Sequence, residues 1–353
     1  MKKRYAFLLF LALSCFTRPA SAQVGGENIY EFLNLPSSAR ITALAGNLIT
    51  VRDNDANLAY ANPALLNPQM HQQISFNHNI HLAGINNGYA SYAHYVDKLE
   101  TTFHAGVQYI SYGTFDAADA FGEIIGEFKA SEYAITFGGA RQLYDRVAVG
   151  ANLKVITSQL ESYNSFGLAA DLGIFYTDTT GRFTATFLIK NAGAQITAYE
   201  GSPRESIPFE IQVGISQRLR HLPFRFSIIY HNLQRWNIIY DDPNSEETTF
   251  LFGENQQSDP SDLETFVDNL ARHLIFNGEF LFGKKENFRL RFGYSHFRRQ
   301  ELSVDNFRSL AGFSFGLGLK VNRFRIDYGR GVYHIAGGLN HFSISTNISE
   351  FRS

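Results

Sequence analysis

Between Gln72 and Ile348 the chain repeats one pattern fourteen times: apolar residues alternate with polar or small ones, and turn formers close each run. The runs span about 72–82, 87–97, 101–112, 131–143, 146–158, 164–178, 182–193, 206–219, 223–232, 272–283, 287–298, 306–321, 323–330 and 334–348. Period two is the strand period, because successive side chains point to opposite faces. Val147, Val149, Ala151, Leu153 and Val155 share one face, with Ala148, Gly150, Asn152 and Lys154 on the other. Later runs put Phe183, Phe187, Phe224, Phe226, Phe288 and Phe292 on the apolar face and Arg182, Lys190, Arg225, Arg289 and Arg291 opposite.

Alternation alone suits a sandwich as well as a membrane barrel, so the connections decide. Every second connection is tight: Lys98–Glu100, Tyr144–Asp145, Thr179–Gly181, Arg220–Leu222, Lys284–Glu286 and the single residue Asn322. The others include long excursions at 113–130, 194–205 and 233–271. Short turns at one end and long loops at the other are the asymmetry of an outer-membrane barrel. The expectation is an all-β transmembrane barrel of about fourteen antiparallel strands in the bacterial outer membrane, with short turns periplasmic and loops extracellular. Its 32 Phe and 18 Tyr suit aromatic girdles at the two membrane interfaces. Beyond the leader no apolar run approaches the length of a spanning helix, and strand crossing requires none.

The leader, MKKRYAFLLFLALSCFTRPASAQ, has a basic start, a short apolar run and an Ala20-Ser21-Ala22 site, so cleavage is expected after Ala22. Lipoprotein processing at Cys15 is the rival. Cleavage removes four basic residues and no acidic one, moving the formal charge from -2 to -6. An acidic mature chain argues against nucleic acid as a partner. It also loses the only cysteine, which rules out disulfides and thiolate metal sites. The expected organisation is a signal peptide at 1–22, a plug segment at 23–71 and the barrel at 72–353.

The plug segment lacks sustained alternation. Ser37 or Ser38 suits the cap of a short helix running to Leu44 and Ala45 and stopped by Gly46. Asn62-Pro63 ends any helix before it. Arg225, Arg289 and Arg291 are expected to face the lumen, and Arg40, Asp53 and Asp55 either fasten the plug to lumen groups such as Arg289 and Arg291 or stand solvated in a wet pore. Buried charges without partners cost several kcal/mol, so in a dry lumen such pairs are obligatory.

Between Trp236 and Ala271 there are nine acidic residues and no Lys or Arg. Asp241, Asp242, Glu246, Glu247, Asp262 and Glu264 make this loop a candidate docking surface or a solubilising one. Ser261 followed by Glu264, with Leu263, Phe266, Val267 and Leu270 at helical spacing, predicts a helix there.

No catalytic, cofactor or metal site is expected. Gly312-Phe313-Ser314-Phe315-Gly316 matches a nucleophile-elbow pattern, which requires a strand, a sharp turn and a helix. The match instead sits inside an alternating run, where small lumen-facing residues leave room for a plug. Asp53-Asn54-Asp55 opens like a calcium loop but continues with Leu58 at the glycine position and Ala64 at the final glutamate position.

The run LPSSARITALAGNLITVRDNDANLAYANPALL carries Pro36, Ser38-Ala39-Arg40, Gly46, Asp53, Asp55 and Asn62-Pro63-Ala64. It is similar to the amino-terminal signature of FadL-like outer-membrane barrels, above all to the PorV and PorQ proteins of the type IX secretion system. Gly25 to Pro36 resembles the PorQ branch. The resemblance implies a fourteen-stranded barrel with a plug and no enzymatic activity. It implies the anchoring of a PorZ-like surface protein within an attachment complex, in which a PorU/PorV-like sortase processes cargo and joins it to lipopolysaccharide in the outer-membrane lipid. The alternative is a FadL-type channel for hydrophobic small molecules, which needs a gap in the wall or a plug kink leading to an apolar pocket.

Overall fold

A computed structural model describes residues 28–81, 84–119, 121–239, 262–283, 285–302, 310–334 and 337–351. The leader and Asp241, Asp242, Glu246 and Glu247 lie outside the described residues. Fourteen strands close into one antiparallel barrel in sequence order. They are β1 Gln73–Ile80, β2 Asn86–Val96, β3 Thr101–Ala118, β4 Ile124–Tyr144, β5 Val147–Leu160, β6 Tyr163–Thr177, β7 Phe183–Thr197, β8 Glu210–Arg218, β9 Phe224–Tyr230, β10 Leu274–Phe282, β11 Phe288–Ser295, β12 Phe313–Val321, β13 Phe324–His334 and β14 Gly337–Asn347. Closure comes from β1 against β14, paired from Gln73↔Asn347 to Ile80↔Asn340. Closure leaves the sheet no free edge, which is what allows strands to cross hydrocarbon.

The alternation sorts as a membrane barrel requires. Phe103, Val107, Ile135, Phe137, Leu153, Phe292 and Phe315 stand on the outer face. Ser75, Asn77, Gln108, Thr136, Asn152, Ser227 and Ser343 are buried against the plug inside.

The plug threads the lumen from end to end. At the long-loop end Asn28 forms a parallel bridge with Ser206, and a tight turn at Glu31–Asn34 follows. Next come α1 (Ala39–Ala43) and α2 (Leu58–Ala61), then turns at Pro63–Leu65 and Pro68–Met70 that end beside β1 at the short-turn end. The upper part packs Ile29, Tyr30, Phe32 and Leu33 against Ile110, Ala134, Ile156 and Ala169 of the wall. Lower down, Ile41, Leu44, Leu48, Leu58 and Leu65 meet Ala148 and Phe175. Helix α1 lies directly on the wall because its neighbours there have no side chain. A Cβ on Gly329 would stand 2.0 Å from the Ala39 carbonyl oxygen, and one on Gly316 2.3 Å from the Ala43 Cβ. Gly316 ends the elbow-like pattern, and its neighbours form strand β12.

Four segments differ from the sequence expectation, the simplest being the run expected from 306, whose strand begins only at Phe313 after a turn at Ala311 and Gly312. The 113–130 stretch is mostly strand: β3 continues to Ala118 and β4 begins at Ile124. A register shift between Ser111 and Gly113 inserts one extra residue into β3. It reverses which residues face inward, so the period-two pattern breaks where the strand does not. Beyond it Phe115 stacks on Phe128, ring centroids 5.3 Å apart. Similarly, β7 runs to Thr197, into the expected 194–205 loop. In the 287–298 run the strand stops at Ser295, and the chain turns into a helix over His296–Leu302. Between β9 and β10, α3 covers Asp262–Arg272, so the helix at His296–Leu302 is α4.

Candidate functional site

The centre of the lumen is a charge cluster built on Arg40. Ser38 accepts a bond from Ile41 N at 3.3 Å, capping α1, while Ala39 N donates to Ser343 Oγ at 2.8 Å. These contacts fix the turn from which Arg40 projects. Its Nε and Nη2 donate to Glu279 on β10 at 3.0 and 3.2 Å. Its Nη1 and Nη2 donate to the two Asp53 oxygens at 3.0 and 2.8 Å, and Nη1 also reaches Asp55 at 3.2 Å. That uses all five guanidinium protons. Glu279 also accepts from Arg225 at 2.5 Å and from Arg291 at 3.1 Å, and Arg291 continues to Asp327 at 2.5 Å.

Electrostatics follows from the geometry. Burial alone would push Arg40 toward neutrality, but Asp53, Glu279 and Asp55 outweigh it and raise its pKa well above the ordinary value. Burial would likewise raise Asp53; pairing and hydrogen bonding to Arg40, with Arg289 and Arg225 beyond, hold its carboxyl below the ordinary range. The ionised pairs are therefore held together in the folded state.

The other plug residues have structural duties. Pro36 is buried ahead of α1. Gly46, at φ 77°, donates its N–H to the Ile41 carbonyl and ends the helix. Asp55 accepts from Asn57, whose side-chain oxygen takes bonds from Ser75 and Asn77 of β1. Asn62 accepts from Ala64 N at 3.0 Å and donates to Ile49 O and to Thr186 Oγ1 of β7, at 2.9 and 2.8 Å, while Pro63 opens the next turn.

The expected link between Asp53/Asp55 and Arg289/Arg291 takes a different form. The bonds from Arg291 go to Glu279 and Asp327, and Arg289 donates to the Glu286 carbonyl at 3.2 Å. Glu279 and Asp327 were missed in the sequence because each is a single acid within an otherwise ordinary strand run. A second missed pair is fully buried: Lys154 donates to Asp171 at 2.9 Å and to Asn191 at 2.8 Å, with its ammonium 4.6 Å from the Tyr60 ring centre. Of the acidic loop, Asp262 opens α3 and Glu264 is exposed on it. Among the described residues no group of three or more His, Cys, Asp or Glu is arranged to hold a metal.

The wall is not uniform. Pairing between β7 and β8 ends at Lys190↔Glu210, while β7 continues to Thr197 on β6 alone. The gap is stitched by other contacts: Glu205 N donates to Gln195 Oε1 at 2.9 Å, Asn191 Nδ2 to Pro208 O at 3.0 Å and Ile29 N to Ser206 O at 2.9 Å. Behind it lies a cavity of about 500 Å³ between the wall residues Lys190 and Ile207 and the plug residues Leu35, Ile41 and Ala45. Ile238 and Ile275 add apolar surface, while Asn34, Asn47, Glu210, Gln212 and Asn232 give the cavity a lining that is slightly more polar than apolar.

The fold and this interior define a plugged, outer-membrane-type β-barrel. The chain superposes on the toluene transporter TbuX of Ralstonia pickettii with a TM-score of 0.50 and 10% identity, covering 92% of this chain and 100% of that one. The toluene transporter TodX of Pseudomonas putida matches with a TM-score of 0.50 and 12% identity, over 88% and 96%. At these identities the likeness is one of fold. No family model matches the chain, and no curated protein does.

Proposed function

We propose that this protein is a FadL-like outer-membrane channel that takes up a small apolar or amphipathic molecule, which enters sideways through the wall between β7 and β8. The observation that carries this reading is the break above Lys190↔Glu210 with the cavity behind it. The Arg40 cluster blocks a straight path for such a molecule, since crossing it would strip charged groups of their partners. A lateral route avoids that cost, and the volume falls in the range of small-molecule sites. The fold shared with two toluene transporters supports the reading. Toluene is the first probe. The detergent-solubilised protein should bind it saturably, and Ile238→Trp, which fills the cavity, should abolish binding while the barrel stays folded. Equal binding by the two proteins, or none by either, would overturn the proposal.

A second reading has its own observation. Beyond Gly113 the β3–β4 hairpin is exposed on both faces, with Phe121, Ile124 and Ile125 at its tip 93%, 68% and 71% accessible. Apolar side chains standing clear of the barrel suit attachment of a surface protein. It agrees with the anchoring of a PorZ-like partner in a type IX secretion attachment complex, through this hairpin or the acidic loop. Pull-down from gently solubilised outer membranes tests it. Recovery of a large exported surface protein, lost on changing Phe121, Ile124 and Ile125 to Ser, supports anchoring, and recovery of the barrel alone refutes it.

A further inference from the structure

The two ends of the lumen differ in charge. At the short-turn end a basin of about 400 Å³ lies between the lower plug and the turns that join β6 to β7 and β10 to β11. Eight of its lining side chains are Arg or Lys and two, Asp53 and Glu286, are acidic. Both acids are already engaged. Asp53 is held by Arg40 through both oxygens, and Glu286 pairs with Arg218 at 2.8 Å and Arg289 at 3.5 Å.

Counter-charge from beyond the basin reaches two more of the cations, Arg225 from Glu279 at 2.5 Å and Lys320 from Glu350 at 3.6 Å, and the remaining ones are left short of it. Arg289 is only 6% exposed, yet its Nη1 has no hydrogen-bond partner among the described residues. The Nε of Arg52 also lacks one, and its other bonds go to neutral acceptors, Gln142 Oε1 and Leu66 O. Arg325 donates to a neutral group, Asn54 Oδ1, at 2.9 Å. For Arg182 and Lys285 no carboxylate lies within 4.0 Å among the described residues. These groups come from the plug, from two turns and from separate strands, so the barrel assembles them against their mutual repulsion. A guanidinium withdrawn from water without a counter-ion is costly, and several converging on one basin form a preorganised receptor for planar or tetrahedral oxyanions.

We infer that the basin at the short-turn mouth binds a multiply charged phosphate-bearing anion. A single negative charge would not reach groups spread around the basin, whereas a di- or polyphosphate spans several of them. An apolar ligand would leave Arg289 Nη1 and Arg52 Nε unmet. Because Arg52 and Asn54 belong to the plug while Arg182, Arg289 and Arg325 belong to the wall, the bound anion ties one to the other. It should therefore raise the stability of the plugged barrel. The site is separate from the wall break and stands whether or not that route carries a ligand.

Pyrophosphate is the probe, applied to the full chain in mild non-ionic detergent at low salt. Calorimetric titration should show one saturable site, and the temperature at which the folded band is lost on unboiled gels should rise with pyrophosphate. Arg289→Gln should weaken binding by roughly tenfold or more. Arg182→Gln, at a half-exposed turn position where folding is not at stake, should weaken it in the same direction. Raising the salt should weaken binding in the wild type more than in either variant. Absence of saturable binding, or wild-type affinity in the folded Arg182→Gln/Arg289→Gln double variant, overturns the inference. Repeating the titration in phosphatidylglycerol and phosphatidylcholine nanodiscs assigns the natural source. Competition by the anionic lipid points to a headgroup, and equal affinity in both points to a soluble phosphorylated compound.

Discussion

Arg40, early in the plug, donates through Nε to Glu279 Oε1 at 3.0 Å, a partner 239 residues further along the chain. Glu279 sits on β10 with Arg225 and Arg291 on the adjacent strands β9 and β11. One carboxylate therefore joins the plug to three neighbouring strands. The lock is electrostatic, while the fit of α1 onto the wall is steric.

Removing the shared acid should loosen the plug. Glu279→Gln keeps the shape but leaves Arg40, Arg225 and Arg291 without their common counter-charge, and breaking a buried pair of this kind costs about 3–5 kcal/mol. Thermal unfolding followed by gel mobility should show a clearly lower midpoint. An unchanged midpoint would mean that water already screens the cluster.

Acid should act through Asp53. Its folded pKa lies below the ordinary 3.8 because Arg40 favours the ionised form over the opposing effect of burial. The stabilisation it contributes is thus complete above about pH 3.8 and is lost as the pH falls further, toward its folded value. Unfolding measured from pH 6 to pH 3 should show this loss at the acid end. Asp53→Asn should lower stability at pH 6 and flatten the acid limb, and a limb of unchanged steepness would assign the effect to other carboxylates.

The Lys154–Asp171 pair offers a test of additivity. Both side chains are fully buried and 2.9 Å apart. Lys154→Met or Asp171→Leu alone strands one charge in the interior and should cost about 3–5 kcal/mol. The double variant should cost much less than the two single variants together. Additive losses would show that each residue acts through neighbours such as Tyr60 and Asn191 and not through its partner.

Steric fit is tested at Gly329. A side chain there meets the Ala39 carbonyl at 2.0 Å, so Gly329→Val must displace α1, at about 1–3 kcal/mol. Gly126→Val on the free-standing hairpin meets nothing within 4 Å and should be neutral within about 0.5 kcal/mol. Equal effects at the two positions would refute a close-packed plug.

Much of the fold was legible because it is local. Period-two alternation marks which residues share a face, and turn residues mark where strands stop, so runs such as 146–158 and 164–178 correspond to β5 and β6 almost residue for residue. The fourteen-strand count and the alternation of short and long connections come from the same signals. Where one inserted residue reverses the faces, as at Tyr112, the signal fails although the strand continues.

The amino-acid sequence by itself determined that this chain makes alternating strands, closes them with unequal connections and carries one segment of a different kind ahead of them. Only the tertiary structure decided which charges meet, where the pairing of wall strands stops and where cations accumulate. The reason is physical: a side chain's face is set by its own backbone, but its partners across a lumen are set by the stagger of a closed barrel and by the path of the plug. That is why Arg40 was visible as a charge in need of a partner while Glu279 was not visible as that partner. It is also why the excess of arginines at the short-turn mouth emerged only once strands distant in sequence had been brought together.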